Sequence, residues 1–171
     1  MRLRALPIVM VGLFVLALAG GALAEEKPLS FGVQANWSDD TDLGVGVRAR
    51  LDLADLKEGL GAVASFDYFF PGDQGFEGVD FTYWEINANL TYDLPLDSSA
   101  VPYIGGGPVL AHASGGVEVV GVEISDSTNE VGFNILGGVK KDLGESMKLF
   151  AEAKYEIKGG EQFVLSVGVR F

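Results

Sequence analysis

Apolar and polar residues alternate along most of the chain, most regularly over its last ten residues. There, one face of an extended strand is apolar throughout, whereas Ser166 and Arg170 lie on the other face. A period of two is typical of a β-strand, because successive side chains of a strand point to opposite sides. A strand of about ten residues has the length needed to cross a bilayer within a barrel. The apolar face consists of Phe163, Leu165, Val167, Val169 and Phe171.

The same alternation predicts seven earlier strands, and the total is therefore eight. These segments are 31–38, 43–53, 62–70, 81–92, 101–113, 130–140 and 147–158. The longest connection is 114–129, where apolar residues between 117 and 124 are suited to extend the hairpin. Because proline is excluded from the paired interior of a strand, we expect a bulge near Pro108 in the fifth segment.

The N-terminal residues have the layout of a secretory signal peptide. Arg2 and Arg4 precede an uncharged apolar run, and Ala22-Leu23-Ala24 supplies a site of small residues. We expect cleavage after Ala24, so that residues 1–24 are the signal peptide and 25–171 form one domain. A membrane-anchoring helix over this run is the alternative, and the glycines before the cleavage site argue against it.

An even number of strands with both ends on one side is typical of bacterial barrels. We therefore predict an all-β fold, an eight-stranded antiparallel up-and-down transmembrane β-barrel preceded by a cleaved signal peptide. Two aromatic belts are expected at the membrane surfaces. The outer belt would hold Trp37, Tyr68, Phe70 and Phe81, and the periplasmic belt Phe31, Tyr92, Tyr103 and Phe171.

The formal charge of the chain is −12, and loss of Arg2 and Arg4 with the signal peptide makes it −14. Nucleic acid is not an expected partner, because phosphate binding needs a basic face. The chain contains no cysteine, so a closed hydrogen-bonded barrel has to provide stability without disulfides.

The polar faces of the predicted strands carry six of the ten basic residues that remain after residues 1–24 are removed, together with several acidic ones. An eight-stranded barrel is just wide enough for side chains to fill it, which favours a packed network of paired charges over a water-filled permeation path. The predicted lumen network consists of Arg48, Arg50, Asp67, Glu85, Lys140, Glu152, Lys154, Glu156 and Arg170. Lys148 shares their parity.

Two groups of residues are candidates for a catalytic or metal site. His112, the only histidine, lies two residues before Ser114, a spacing too weak to define a catalytic pair. Acidic residues in the outer loops are suited to Ca²⁺ or Mg²⁺, although such residues are more often solvated turns. They are Asp39, Asp40, Asp42, Asp73, Glu77 and Asp80. We predict no catalytic, cofactor or metal site.

The segment Val101-Pro102-Tyr103-Ile104-Gly105-Gly106-Gly107 resembles a strand of the opacity-type and OmpA-like barrels, and Phe171 resembles their terminal aromatic residue. This resemblance implies an integral protein of the bacterial outer membrane with a structural or surface-interaction role. It implies membrane lipid, lipopolysaccharide, the barrel-assembly machinery and an extracellular ligand as partners. It also implies that the apolar face ending at Phe171 is a barrel-insertion signal.

Three alternatives remain open at this point. One is a small channel or conduit for hydrophobic compounds, and another is a soluble periplasmic barrel that turns its apolar faces inward to bind an apolar ligand. A third follows from the spacing of His112 and Ser114, which is similar to that of outer-membrane barrels that remove an acyl chain from lipopolysaccharide. This chain lacks the asparagine that follows the serine in those enzymes.

Overall fold

The computed structural model describes residues 29–70, 79–96, 98–119, 122–157 and 161–171. The predicted signal peptide lies outside these residues. The described residues form eight strands, namely β1 (Leu29–Ser38), β2 (Asp42–Asp52), β3 (Leu60–Phe70), β4 (Val79–Asp93), β5 (Ala100–Val119), β6 (Val122–Asp142), β7 (Lys148–Ile157) and β8 (Phe163–Arg170). None of the described residues belongs to a helix that is long and apolar enough to span a membrane.

Each strand pairs antiparallel with the next one, and β8 pairs with β1 to close the barrel. Within the closing pair, Val33 lies opposite Val169 and Trp37 opposite Leu165. Closure leaves no long free edge in the membrane-spanning part, where unpaired backbone groups would have no water to bind. The predicted all-β eight-stranded barrel is confirmed.

Burial follows the period of two. The inward face carries most of the polar side chains and a few apolar ones such as Val164, whereas the outward face is mainly apolar. On β8, Val164 and Ser166 are 1% and 3% exposed, whereas Leu165 and Val167 are 43% and 56% exposed. The outward apolar surface suits hydrocarbon, because a membrane barrel presents its apolar band to lipid. The alternative of a soluble barrel with its apolar residues turned inward is therefore wrong.

Strands β5 and β6 are much longer than predicted. They continue pairing as far as Val119 opposite Val122, so that the expected long connection is mostly a β-hairpin. Strand β4 pairs with the same extension, from Val79 opposite Val117 onward. The prediction that residues 117–124 extend the hairpin is confirmed for the residues that the structure describes.

The predicted bulge at Pro108 is wrong. On either side of the proline, β4 and β5 keep one register, with Asn87 opposite Val109 and Leu90 opposite Gly106. Pairing with β4 lapses only at the two intervening positions, and pairing with β6 is continuous. Because proline has no N–H, Pro108 cannot donate a hydrogen bond to the neighbouring strand. The loss of this hydrogen bond interrupts the pairing but does not require the extra residue that defines a bulge.

The aromatic belts also differ in part from the prediction. Tyr103 is only 5% exposed and faces the lumen, whereas Trp84, which the sequence analysis did not include, faces outward beside Phe66 with ring centroids 5.9 Å apart. Trp37 and Phe70 are exposed on the side of the barrel that faces away from the lumen, as expected. Tyr103 was misplaced because its belt was inferred from height along the strand, without regard to which face it occupies.

Candidate functional site

The long β5–β6 hairpin marks the outer end of the barrel and the chain ends mark the periplasmic end, because barrels of this class have short periplasmic turns and longer outer loops. A buried cluster around Lys154 fills the outer half of the lumen. Its ammonium lies 2.8 Å from Oε2 of Glu85 and 2.6 Å from Oε1 of Glu156, and neither carboxylate side chain is exposed to solvent. Gln162 Nε2 donates to Glu85 Oε1, and Tyr83 donates its hydroxyl proton to the same oxygen at 2.9 Å. Burial of the two carboxylates is offset by the ammonium that they share and by these hydrogen bonds.

One step toward the periplasm, Asp67 accepts hydrogen bonds from four neutral side chains. The donor groups are Gln34 Nε2 at 2.6 Å, Asn36 Nδ2 at 2.7 Å, Ser65 Oγ at 2.9 Å and Asn87 Nδ2 at 3.3 Å. Asn87 also accepts from Lys154 at 3.2 Å, which links this group to the outer cluster. The carboxylate of Asp67 is thus stabilised without a basic residue of its own.

Apart from Lys154, the basic residues of the predicted lumen network lie in its periplasmic half. Arg48 donates to both oxygens of Glu152, at 3.0 and 3.3 Å, and its guanidinium lies 4.0 Å from the ring centre of Phe150. Tyr103 donates its hydroxyl proton to Glu152 at 2.9 Å. A bidentate pair of this kind orients both side chains as well as balancing their charge.

At the periplasmic end, Arg50 and Lys140 both contact Oδ2 of Asp93. Arg50 also donates to Thr91 Oγ1 at 2.7 Å, and Gly61 leaves room for its guanidinium, because a Cβ there would lie 2.6 Å from Cζ of Arg50. Arg170 is half-buried and has no hydrogen bond or ion pair with any described residue. The predicted lumen residues therefore all face inward, and all but Arg170 have polar partners.

Sequence reasoning missed the neutral members of this network. They bridge the charged groups, and they share the inward parity of the charged residues on their strands, which is the signal that would have identified them. The main ones are Gln34, Asn36, Tyr83, Asn87, Thr91, Asn134 and Gln162.

His112 lies on the outer surface of β5 and has a structural environment. Its ring stacks on Trp84 with centroids 4.8 Å apart, and Nδ1 lies 2.7 Å from Oδ1 of Asn129 on the neighbouring strand. No described carboxylate and no hydrogen bond to Ser114 completes a catalytic arrangement around it. The side chains of Glu118 and Glu123 lie outside the described part.

The acidic turn between β1 and β2 uses its polar groups to hold the backbone. Asp39 accepts a hydrogen bond from the amide of Phe163 at 2.8 Å, and Ser38 accepts one from the amide of Asp40 at 3.1 Å. Asp42 has a positive φ of 61°, a conformation that aspartate tolerates better than most residues. Asp73, Glu77 and the side chain of Asp80 lie outside the described residues.

A closed eight-stranded barrel with a charged, packed interior and an apolar exterior defines the class of integral outer-membrane β-barrels. The sequence matches the family model described as outer membrane protein beta-barrel domain over residues 10–171, and the chain belongs to this family. It is therefore a protein of the bacterial outer membrane. No curated protein matches the chain.

Solved structures with the same fold include three bacterial outer-membrane proteins. Neisserial surface protein A is 18% identical, with a TM-score of 0.59, and the match covers 83% of this chain and 94% of that one. A major outer membrane protein of Thermus thermophilus is 14% identical, with a TM-score of 0.61 and coverage of 84% and 98%. Ail of Yersinia pestis is 16% identical, with a TM-score of 0.55 and coverage of 84% and 96%. At these identities the likeness concerns the fold alone.

Proposed function

We propose that this chain is a non-catalytic barrel with a structural or surface-interaction role and a lumen closed to solutes. The observation that carries the proposal is the cluster of Glu85, Lys154 and Glu156, whose side chains are 0–6% exposed and fill the outer half of the lumen. An eight-stranded barrel has no room for a water channel beside such side chains. Their charge also disfavours a conduit for apolar compounds.

Conductance in planar bilayers tests whether the lumen is closed. We expect the wild-type barrel to show no discrete conductance steps, and a triple variant Glu85→Ala, Lys154→Ala, Glu156→Ala to show them if it stays folded. A Lys57→Ala variant, changed in an exposed periplasmic turn, serves as the control. Regular conductance steps from the folded wild-type protein would refute the closed lumen.

The surface-interaction role is supported by the three-stranded extension formed by β4, β5 and β6. On β5 and β6 the outward residues change from apolar to polar between Leu110 and His112 and between Val131 and Asn129. From His112 to Val119 the strand continues for about 23 Å at ~3.3 Å per residue. The extension therefore projects from the apolar band into the aqueous medium.

Among the residues that the structure describes, β6 pairs with β7 only from Phe133 onward, and residues 122–132 pair with β5 alone, which leaves one edge of the extension free. A free edge offers unpaired backbone donors and acceptors to another extended chain. The exposed Asp126 and Glu130 lie on this edge strand, and the described part of the extension contains no lysine or arginine. A basic extended peptide is accordingly the kind of ligand that this surface fits.

Removal of the extension tests this role. Ser114 pairs with Ser127, so replacing residues 115–126 by Asn-Gly shortens the hairpin in register. We expect the shortened protein still to migrate as a heat-modifiable barrel on semi-native gels, but to lose binding of a fluorescent Lys-Thr repeat peptide. A Glu-Thr repeat peptide is the control. Equal binding of the Lys-Thr peptide by both proteins would exclude the extension as its site.

Membrane lipid and lipopolysaccharide are the proposed surroundings of the outward face, and the barrel-assembly machinery is the proposed partner in insertion. The proposed insertion signal is the outward face of β8 with the terminal aromatic residue, namely Phe163, Leu165, Val167, Val169 and Phe171. We expect Phe171→Ser to lower the inserted fraction in cells more than it lowers the yield of folding in detergent. An equal reduction in both would indicate a role in stability alone.

The absence of catalysis is likewise part of the proposal. It is supported by the position of His112, whose ring is stacked on Trp84 and bonded to Asn129. We expect no release of acyl chains from lipopolysaccharide by the folded barrel. Release that disappears in His112→Ala would establish the enzyme instead.

A further inference from the structure

The periplasmic end of the lumen carries more positive than negative charge. Arg50, Lys140, Lys148 and Arg170 line a small cavity there, together with the paired Arg48 and Glu152. Asp93 is the carboxylate that both Arg50 and Lys140 contact. Lys148 contacts Asp142 at 2.7 Å, in an exposed ion pair. The cavity-lining side chains and their ion-pair partners therefore comprise five positive and three negative groups.

Arg170 is the residue that leaves this imbalance. Its cross-strand neighbours are Gly32 on β1 and Lys148 on β7, and neither has a side chain that can accept a hydrogen bond. Directly opposed like charges in a sheet destabilise the pairing. A half-buried guanidinium without an acceptor also forgoes the charge-assisted hydrogen bonds that normally offset its partial desolvation.

The cavity among these side chains has a volume of about 10 Å³ and is partly open to solvent. That volume corresponds to about one water molecule, or one oxygen atom of a larger group. A tetrahedral oxyanion could place one oxygen in the cavity and keep the others in the open mouth. The planar fork of a guanidinium suits two such oxygens, and an ammonium suits a third.

We propose that the periplasmic mouth of the lumen is a binding site for a phosphate group, held by Arg170 and Lys148 and favoured by the charge of Arg50 and Lys140. The bound anion would lie between the two opposed cations and remove their repulsion. Free phosphate and the phosphate of a phospholipid headgroup at the membrane surface share this chemistry. This inference is independent of the proposed role of the outer extension.

Calorimetric titration of the folded barrel in a non-ionic detergent with inorganic phosphate, at constant ionic strength, tests the site. We expect saturable binding that weakens by about tenfold or more in Arg170→Gln, as loss of a charge-assisted hydrogen bond predicts. Lys148→Gln, which leaves the C-terminal strand intact, should weaken it similarly. Lys141→Gln is the matched control, because it removes one charge from the outward, exposed neighbour of Lys140.

A second readout distinguishes binding from general screening. Phosphate should raise the melting temperature of the wild-type barrel and of Lys141→Gln, but not that of Arg170→Gln. The lipid headgroup as a source of the phosphate is tested in detergent. Phosphatidylglycerol or phosphatidylcholine is added to the purified barrel, and the amount of each lipid that stays bound to the protein is compared. Retention of phosphatidylglycerol that Arg170→Gln abolishes would assign the headgroup as the source. Equal phosphate binding by wild type and Arg170→Gln, or no binding of either probe, would overturn the site.

Discussion

Lys154 is the side chain whose removal should weaken the barrel most clearly. It neutralises one of two carboxylates that are buried on either side of it, and its own side chain is 6% exposed. In Lys154→Met the apolar stem is kept, but Glu85 and Glu156 face each other without a cation. Removing one partner of a buried ion pair costs about 3–5 kcal/mol of the free energy of unfolding.

The measurement is equilibrium unfolding in urea with the barrel in lipid vesicles, following the heat-modifiable gel band and tryptophan fluorescence. The control is Lys57→Met, whose exposed ammonium lies 4.5 Å from the ring centre of Tyr92. A cation–π contact at an exposed site contributes only about 0.5–1 kcal/mol. The free energy of unfolding should therefore decrease several times more in Lys154→Met than in the control.

A further change separates loss of charge balance from loss of packing. Adding Glu156→Gln to Lys154→Met removes one of the two uncompensated carboxylates, and the amide retains a similar shape. The double variant should regain part of the lost stability, because residues within one network do not act additively. A Lys154→Met barrel that unfolds within about 1 kcal/mol of the wild type, the range of an exposed pair, would refute the reasoning.

Three other predictions concern backbone contacts, the lumen and the outer surface. A Cβ at Gly107 would lie 2.0 Å from the carbonyl oxygen of Ala88, whereas at Gly137 the nearest atom is 3.9 Å away. Gly107→Ala should therefore lower the free energy of unfolding in urea by about 1–3 kcal/mol, and Gly137→Ala should lower it much less. Equal effects of the two substitutions would contradict the close approach of β4 and β5. Asp67→Ala leaves four donors without their acceptor and should cost about 3 kcal/mol or more, whereas Asp126→Ala on the exposed extension should change stability by less than about 0.5 kcal/mol. Trp84→Ala should leave folding on semi-native gels intact but abolish stacking on His112. The NMR signals of the His112 ring protons should then lose the ring-current shift of the indole, and unchanged signals would argue against the stacked arrangement.

The strand pattern predicted the parts of the fold that depend on alternation. The inward parity of Arg48, Glu85 and Lys154 follows directly from it, since a strand has only two faces. The length of β5 and β6 was underestimated, because Gly115, Gly116 and the serines beside them do not show alternation even though they pair. The prediction for Tyr103 was also wrong, because it used only the height of the residue along the strand, and Tyr103 lies on the lumen face.

The partners within the lumen could not be read from the sequence. Arg48 and Glu152 are 104 positions apart, and only closure of the barrel brings β2 and β7 within reach of each other across the lumen. Gln162 contacts Glu85 over a separation of 77 positions for the same reason. The shear of the closed sheet determines which residues of distant strands lie at the same height in the lumen. The sequence pattern of a single strand does not reveal the shear.

Site-directed spin labelling of β8 tests the inside and outside of the barrel most directly, because the chain contains no cysteine that would compete for the label. Leu165→Cys and Val167→Cys carry the label outward, and Val164→Cys and Ser166→Cys carry it inward. In lipid vesicles, power saturation should show high collision with oxygen at the outward pair and restricted, oxygen-poor labels at the inward pair. The reverse pattern, or equal access of a water-soluble relaxation agent to all four positions, would contradict an apolar exterior in lipid around a packed polar lumen.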